Sequence, residues 1–564
     1  MMKERLEGYI DEALKELGIA DVSFVLEHPD DMTHGDWATN AAMLAAKKVG
    51  KNPKTLAEEI VQKLGEKKDT DVLSVEVAGP GFINFKIAPA VFDKELSAAI
   101  SQGDKWGRNE TLKGKKVMVE YTDPNPFKEF HIGHLMSNAI GESLSCVIEA
   151  SGAEVKRACY QGDVGLHVAK AVSSMLEQPE DFWDSFPALP LKERLAYLGS
   201  FYVAGTYAYE SGEKWQKPIH EINKKIYEKS DKKVSFLHSL GRKTSLEYFE
   251  TMYQRLGTKF DFNFFESETG VRGKGIVTEN KGKVFEESEG AIVFHAEKFN
   301  PKLHTRVFIS KEGLPTYEAK ELGLAEKKYE TFPYDVSIVI TGNEVNDYFQ
   351  VLLEAMRQIF PELAAKTEHY SHGMLRLPTG KMSSRTGDVI TATSLLDKAK
   401  ELIMKNVEGV MEDVAKAAGV AAVKYSVLRQ ASGKDIIFDF DQSLSFEGDS
   451  GPYLQYTYAR THSVLEKAGN TPVALDGEHN NYGALPKLLV RFPEVVLRAS
   501  REREPHYIAN YLIEVAREFN SFYGNTTILD GASDQPYKLA LTKAVGITLK
   551  NGLWLLGITA PAKM

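Results

Sequence analysis

The chain has 564 residues, 69 Lys and Arg against 79 Asp and Glu, a formal net charge of −10 and two cysteines. That length exceeds one hydrophobic core and implies about three or four domains, while the acidic balance excludes a protein that simply coats nucleic acid and leaves room only for a local basic groove. Cys146 and Cys159 cannot supply a disulfide framework or a thiolate-rich zinc site, and no run of about 20 apolar residues suggests a membrane span, so a reducing cytoplasm is the expected compartment.

The first residues, MMKERLEGYIDEALKELGI, read as an acidic amphipathic helix rather than a signal peptide. Helical patterns at 3–17 and 39–64 are followed by VLSVEVAGPGFINFKI, two strands around a Gly-rich turn, so 1–110 is expected to be an N-terminal α+β domain. On the second of these strands Phe82 and Asn84 share one face. They suit stacking on and hydrogen bonding to an RNA base, and equally a hairpin core with a turn cap. From 111 the pattern turns to strand, helix, strand: VMVEYTD, the helix opening at HIGH, then VKRACYQGD. This is the start of a Rossmann-like, doubly wound parallel sheet, expected over 111–395. A charged, helix-rich insertion without strand signal covers about 175–260. Gly-punctuated runs over 266–312 suggest hairpins, and DVSIVITGN restores a buried strand. From 396 to 564 the chain reads as an all-α bundle with tyrosine-rich faces.

The chemistry concentrates where VMVEYTD breaks at Pro124-Asn125-Pro126 and a helix opens on His131 and His134. A helix N-terminus at the carboxyl edge of a parallel sheet attracts phosphate. Two imidazoles three residues apart project from one face, and Gly133 between them clears the backbone for a flat ring. A capping histidine beside a packed one, or a metal pair, would leave the same trace. A second element, LRLPTGKMSSRTGDVI at 375–390, is a polar loop with Lys381, Met382, Ser383, Ser384 and Arg385.

HIGH after a first strand, with GKMSSRTG some 250 residues later, resembles the two signatures of class I aminoacyl-tRNA synthetases. DPNPFKEFHIGHLMSNAIGESL, YQGDVGLH, LPTYEAKELGLA, FEGDSGPYLQYTYAR, THGDWATNAAMLAAK, GPGFINF and NGLWLLGITAPAKM narrow the resemblance to the arginyl-tRNA synthetases over nearly the whole chain. The resemblance implies ATP with Mg²⁺ as substrate, L-arginine and tRNA(Arg) as the other partners, no resident metal, no membrane, a monomer, and a need for tRNA before arginine is activated. His131 and His134 would stabilise the phosphates, with Gly133 beside adenine or ribose. Lys381 would meet the β- and γ-phosphates, with Met382, Ser383 and Ser384 beside it. Ser384 stands where the KMSKS form has its second lysine, and Lys128, just before HIGH, would supply the missing charge. Asn125, Glu266, Tyr317, Glu321 and Gln350 map onto the arginine pocket, Glu266 toward the α-ammonium, Tyr317 and Glu321 toward the guanidinium. Glu321 departs from the family's usual Asp. Tyr453, Tyr456 and Met564 would face the anticodon, and Phe82 and Asn84 the outer corner of tRNA. The alternatives are a glutamyl or lysyl type of class I synthetase, whose pocket would need other charges, and an inactive RNA-binding relative, which intact HIGH and Lys381 argue against.

Overall fold

The computed structural model describes residues 2–29, 31–67, 69–376, 391–475 and 483–564. The chain falls into two compact units, one of Met1–Trp106, Thr461–Phe492 and Arg517–Thr548, the other of Gly107–Arg460, Pro493–Ala516 and Leu549–Met564.

The first unit begins with α1 (Met2–Glu16), β1 (Leu26–Glu27), β2 (Trp37–Thr39), α2 (Ala41–Val49), α3 (Pro53–Gly65), β3 (Val72–Ala78), β4 (Phe82–Ile87) and α4 (Pro89–Gln102). The strands pair antiparallel in the order β1-β2-β4-β3. Leu6, Ile10 and Leu14 of α1 and Leu56 and Ile60 of α3 bury against Ile83 and Phe85 of β4. The helix expected over 39–64 is two helices, because three residues punctuate it. Gly50 ends α2 in the left-handed conformation at φ 67°. Asn52 then accepts from the Lys54 and Thr55 amides at 2.9 and 3.3 Å, and Pro53 takes the first helical position.

In the second unit, β5 (Lys116–Glu120), α5 (Ile132–Ala150), β6 (Glu154–Gln161) and α6 (Leu166–Met175) form the expected βαβ start. The helical insertion follows as α7 (Glu180–Ser185), α8 (Leu191–Glu210), α9 (Glu213–Glu228) and α10 (Lys232–Leu256), then β7 (Phe262–Phe265) and α11 (Glu266–Glu279). A small antiparallel sheet of β8 (Glu286–Ser288), β9 (Ala291–Phe294) and β10 (Arg306–Ile309) precedes α12 (Tyr317–Thr331), β11 (Val336–Gly342), α13 (Asn346–Ile359) and β12 (Thr367–His372). Among the described residues five strands pair in parallel in the order β12-β11-β5-β6-β7. The order runs outward in both directions from β5, so the switch point, where such sheets bind ligands, lies at the carboxyl ends of β5 and β11. Beyond β12 the chain is mostly helical, and the fold is multidomain α/β with a doubly wound parallel sheet, an N-terminal α+β part and a C-terminal helical part.

One expectation is corrected. Residues 266–279 form α11, and the hairpins begin only at Glu286. Gly273 there serves packing rather than a turn, as does Gly323 on the facing helix. A Cβ on Gly273 would lie 1.7 Å from the Ala319 carbonyl oxygen, and one on Gly323 would lie 2.1 Å from that of Thr269, so α11 and α12 lie backbone against backbone.

Helix α5 is buried almost throughout, its polar side chains satisfied internally: Glu142, for one, pairs with Arg157 at 3.1 Å. Its far side meets the end of the chain: the Ser143 hydroxyl donates to the Leu555 carbonyl at 2.8 Å. Lys424, on the helix Glu412–Leu428, is fully buried and donates to the carbonyls of Leu256 and Gly557, each at 2.6 Å.

Candidate functional site

The turn between β5 and α5 is held in a costly backbone conformation. Thr122, Asp123 and Phe127 have φ of 80°, 45° and 67°, and such positions cost about 1–3 kcal/mol each unless their surroundings fix them. Here they are fixed. The Thr122 amide donates to Ser137 Oγ at 2.9 Å and Asn138 Nδ2 to Thr122 Oγ1 at 3.1 Å. Asp123 Oδ1 accepts from the Tyr160 amide at 2.7 Å, and the Phe127 amide donates to Ser245 Oγ at 2.9 Å.

The turn delivers His131 as the N-cap of α5. Its Nδ1 accepts from the Gly133 amide at 3.1 Å, and His134 Nδ1 accepts from the His131 amide at 3.2 Å, a reciprocal cap. The two rings stack 3.5 Å apart. With both Nδ1 atoms accepting, each ring carries its proton on Nε2 and presents a donor away from the backbone. A Cβ on Gly133 would sit 3.0 Å from His131 Cε1, so a side chain there would press on the capping imidazole. Burial and the nearby charge of Lys128 push His131 down to about 4. Burial, with His131 and Lys128, drives His134 well below its ordinary value. The pair is therefore neutral near neutral pH. Lys128 itself rests over the Tyr202 ring at 5.3 Å. A neutral donor pair, a helix N-terminus and one lysine make an anion site.

The opposite charge gathers one strand over. Asn125 and Glu266 converge on Gly162, where a Cβ would lie 2.2 Å from Asn125 Oδ1 and 3.4 Å from Glu266 Cδ. Glu266 opens α11, whose start is pinned by Asp163: its carboxylate accepts from the Ser267 amide at 2.8 Å and hydroxyl at 2.7 Å and pairs with Arg242 at 3.2 Å. Helix α12 brings Tyr317, Lys320, Glu321 and Lys328 to one face at helical spacing. Lys320 Nζ binds Glu266 Oε2 at 2.5 Å, and Lys328 Nζ binds Glu120 Oε2 at 2.6 Å, both pairs buried. Glu321 stands between those lysines and makes no ion pair or hydrogen bond among the described residues. Burial, then Glu120, raises its carboxyl well above the usual range against the pull of Lys328, with Asp123 and Glu266 adding to the rise. Burial and Glu120 raise Asp123 likewise. Four acids thus share two ammonium groups, and the two left without one, Glu321 and Asp123, are those whose carboxyls are raised: out of water, each favours keeping its proton where no cation faces it.

His167 lies between the two regions. Its Nε2 is 3.0 Å from the Gly162 carbonyl, and burial, Lys128 and Lys320 together bring it down to about 3. Neither Lys320, Lys328 nor Glu120 was singled out by the sequence. The available signal was the spacing of 320 and 328 from Tyr317 along one helix face.

The other expected site residues are dispersed. Tyr317 is 61 % exposed, with Lys320 Nζ 4.9 Å from its ring centre. Gln350 is exposed on α13. Lys381, Met382, Ser383 and Ser384 lie outside the described residues. The segment directly after them returns to the histidine turn: Thr391 bridges His131, and the Ala392 amide donates to the Phe130 carbonyl at 2.9 Å. In the first unit, Phe82 is 36 % exposed and Asn84 half-buried on the outer face of β4, alternating with buried Ile83 and Phe85. Tyr453 and Tyr456 lie in the first turns of the helix Gly451–Ala468. Arg460 stacks on Tyr456 at 4.8 Å, Phe446 meets the same ring edge-on at 6.4 Å, and Phe446 and Met564 pack on a common apolar cluster. Among the described residues no group of three or more His, Cys, Asp or Glu is placed to hold a metal ion, and no helix is long and apolar enough to cross a membrane.

Known proteins share this layout. The family described as "tRNA synthetases class I (R), catalytic domain" matches residues 95–440. "Arginyl tRNA synthetase N terminal domain" matches 4–87, and "DALR anticodon binding domain" matches 454–564. An arginine–tRNA ligase of Clostridium acetobutylicum is 32 % identical over 585 residues, covering 100 % of this chain and 99 % of the relative. One from Borrelia hermsii is 30 % identical over 592 residues with the same coverage, 100 % and 99 %. The structure of arginyl-tRNA synthetase from Thermus thermophilus aligns over 100 % of both chains with a TM-score of 0.78 at 24 % identity, a likeness of fold.

Proposed function

The chain belongs to the class I arginyl-tRNA synthetases, and on that premise we propose how its two charged regions divide the reaction. It is a ligase that uses ATP to charge tRNA(Arg) with arginine. In the first step a carboxylate oxygen of arginine attacks the α-phosphorus of ATP, the bond to the bridging oxygen breaks, and pyrophosphate leaves. In the second, a terminal hydroxyl of tRNA attacks the aminoacyl carbonyl and AMP leaves. Neither step needs a covalent enzyme intermediate, so the protein's part is placement and electrostatic stabilisation.

His131 and His134 donate Nε2–H bonds to phosphate oxygens, with Gly133 beside the nucleoside. Being neutral and already fixed by their Nδ1 contacts, they act as oriented dipoles that need no reorganisation when charge builds on phosphate. Lys128 adds the local cation, and Lys381 with Met382, Ser383 and Ser384 completes the phosphate contacts; Mg²⁺ enters with ATP as part of the substrate. Glu321 takes the guanidinium with Tyr317 and Gln350, while Asn125 and Glu266 hold the α-ammonium. The observation that carries this assignment is the unpaired Glu321 between two lysines that are each engaged elsewhere. A planar, permanently charged fork is the substrate group that settles such a deficit. Tyr453, Tyr456 and Met564 receive anticodon bases, and Phe82 and Asn84 a base at the tRNA corner. The functional partition is 1–110 for the corner, 111–395 for catalysis and 396–564 for stem and anticodon, in a monomer of the cytoplasm.

The test is ATP–pyrophosphate exchange with each amino acid, with and without tRNA(Arg). Exchange driven by arginine alone among the amino acids is the expected result, and exchange driven by lysine or glutamate instead rejects the reading.

A further inference from the structure

The acidic cluster contains a cation that the reaction scheme above does not use. Lys320 is buried, and its Nζ lies 2.5 Å from Glu266 Oε2. The Tyr317 and Tyr227 rings flank that nitrogen, their centres at 4.9 and 5.7 Å. Among the described residues no other hydrogen bond reaches the Glu266 carboxylate, so Oε1 keeps its accepting capacity, and the carboxylate carbon lies close to Gly162, which Asn125 also approaches. The lysine is one position from Glu321 on the same helix, and it is anchored by backbone: a Cβ on Gly273 or Gly323 would strike the opposing helix, so the α11–α12 spacing that sets the Lys320–Glu266 contact has little freedom.

We propose that Lys320 is a positioning residue of the amino-acid site: its ammonium holds Glu266 by one carboxylate oxygen and leaves the other aimed at the substrate's cation. The proposal rests on reading the acidic cluster as the arginine site and adds a residue to it. Without Lys320, Glu266 would be a buried carboxyl whose cheapest state is protonated. It would then offer the substrate a neutral group with no fixed orientation. Lys320 thus keeps one acid of the cluster ionised and pointed, while Glu321 remains the acid without a partner.

Lys320→Met, Lys320→Arg, Glu266→Gln and the double variant Glu266→Gln/Lys320→Met, all in the full-length chain with tRNA(Arg) present, separate the possibilities. Lys320→Met is expected to raise the KM for arginine by about tenfold or more with the KM for ATP changed by less than about twofold. Lys320→Arg keeps the cation and should restore the arginine KM to within about threefold of the starting protein. Because Lys320 acts through Glu266, the double variant should bind arginine no worse than Glu266→Gln alone; it also buries no unpaired charge, so it keeps the question answerable if Lys320→Met fails to fold. An unchanged arginine KM in Lys320→Met overturns the proposal. So does an equal loss for arginine and ATP that Lys320→Arg does not repair, or additive losses in the double variant. Failure of the underlying reading looks different, since the unsubstituted protein would then not exchange with arginine at all.

Discussion

The histidine turn and the acidic cluster adjoin the same edge of the parallel sheet, yet they meet opposite charges by opposite means. The turn answers an anion with neutral groups: two imidazoles held below neutrality, their protons placed by backbone contacts, and a single lysine nearby. The cluster sets four acids against two ammonium groups, leaving Asp123 and Glu321 without one and Glu321 without any hydrogen bond among the described residues, a deficit that suits a cation. The difference follows from what each substrate brings. A triphosphate carries several charges and arrives with its own counter-ion, so fixed dipoles suffice and a cationic pocket would hold pyrophosphate too tightly. Arginine brings one delocalised charge that must leave water, and only a group already short of a partner repays that loss.

The largest effect should come from the turn. His134→Ala removes a donor that works only as charge develops, and kcat for exchange should fall about 10²–10³-fold, with the arginine KM changed by less than about twofold. Steady-state exchange kinetics check this, and a loss carried instead by the arginine KM would erase the division between the regions. Next is the cluster. Glu321→Gln should raise the arginine KM roughly 100-fold, as expected for a charge-assisted fork worth about 3 kcal/mol. The pH profiles sharpen the contrast. Glu321 is raised in the protein, and the guanidinium binds its ionised form, so the arginine KM should climb as pH falls through that raised value and the climb should vanish in Glu321→Gln. The histidines, His131 at about 4, stay neutral through the same window, so the ATP KM should stay flat there. Linked to this, an acid raised in the native state binds a proton that the unfolded chain has released, so it lowers stability as pH rises through its native value. The thermal shift given by saturating arginine should therefore grow as pH rises through that raised value. The smallest effect is expected of Lys128→Ala, about a tenfold loss of exchange rate at fixed ATP, because its charge acts beside the imidazoles; an unchanged rate would remove Lys128 from the site.

The sequence makes the turn legible and hides most of the cluster. HIGH is a contiguous motif whose cap, dipole and ring geometry are all local, although Tyr160 and Ser245, which brace the turn before it, come from farther along the chain. Tyr317 and Glu321 were within reach because four-residue spacing on a helix is also local. Lys320, Lys328 and Glu120 were not. In YEAKELGLAEKKYE the lysines read as a solvated face, and their burial is decided by a helix start 54 positions away and a strand end 208 positions away in the chain. The glycines of α11 misled for the same reason: turn and close helix packing use the same residue, and only the facing helix tells them apart. The parallel sheet was readable from alternation and run length, whereas the split of α2 from α3 depended on weighing Gly50, Asn52 and Pro53 against a continuous apolar stripe.

The contacts of α5 with Leu555 and of Lys424 with Gly557 also set a schedule. Ser143 meets a carbonyl 412 positions later in the chain, so at about 5–20 residues per second the ribosome needs roughly 20–80 s after making the histidine helix to supply the group that closes its back. Late in that interval Lys424 emerges with only its Leu256 acceptor in place, and its second carbonyl, that of Gly557, follows 133 positions later. The reactive centre therefore matures late in translation, long after the signature residues have left the exit tunnel.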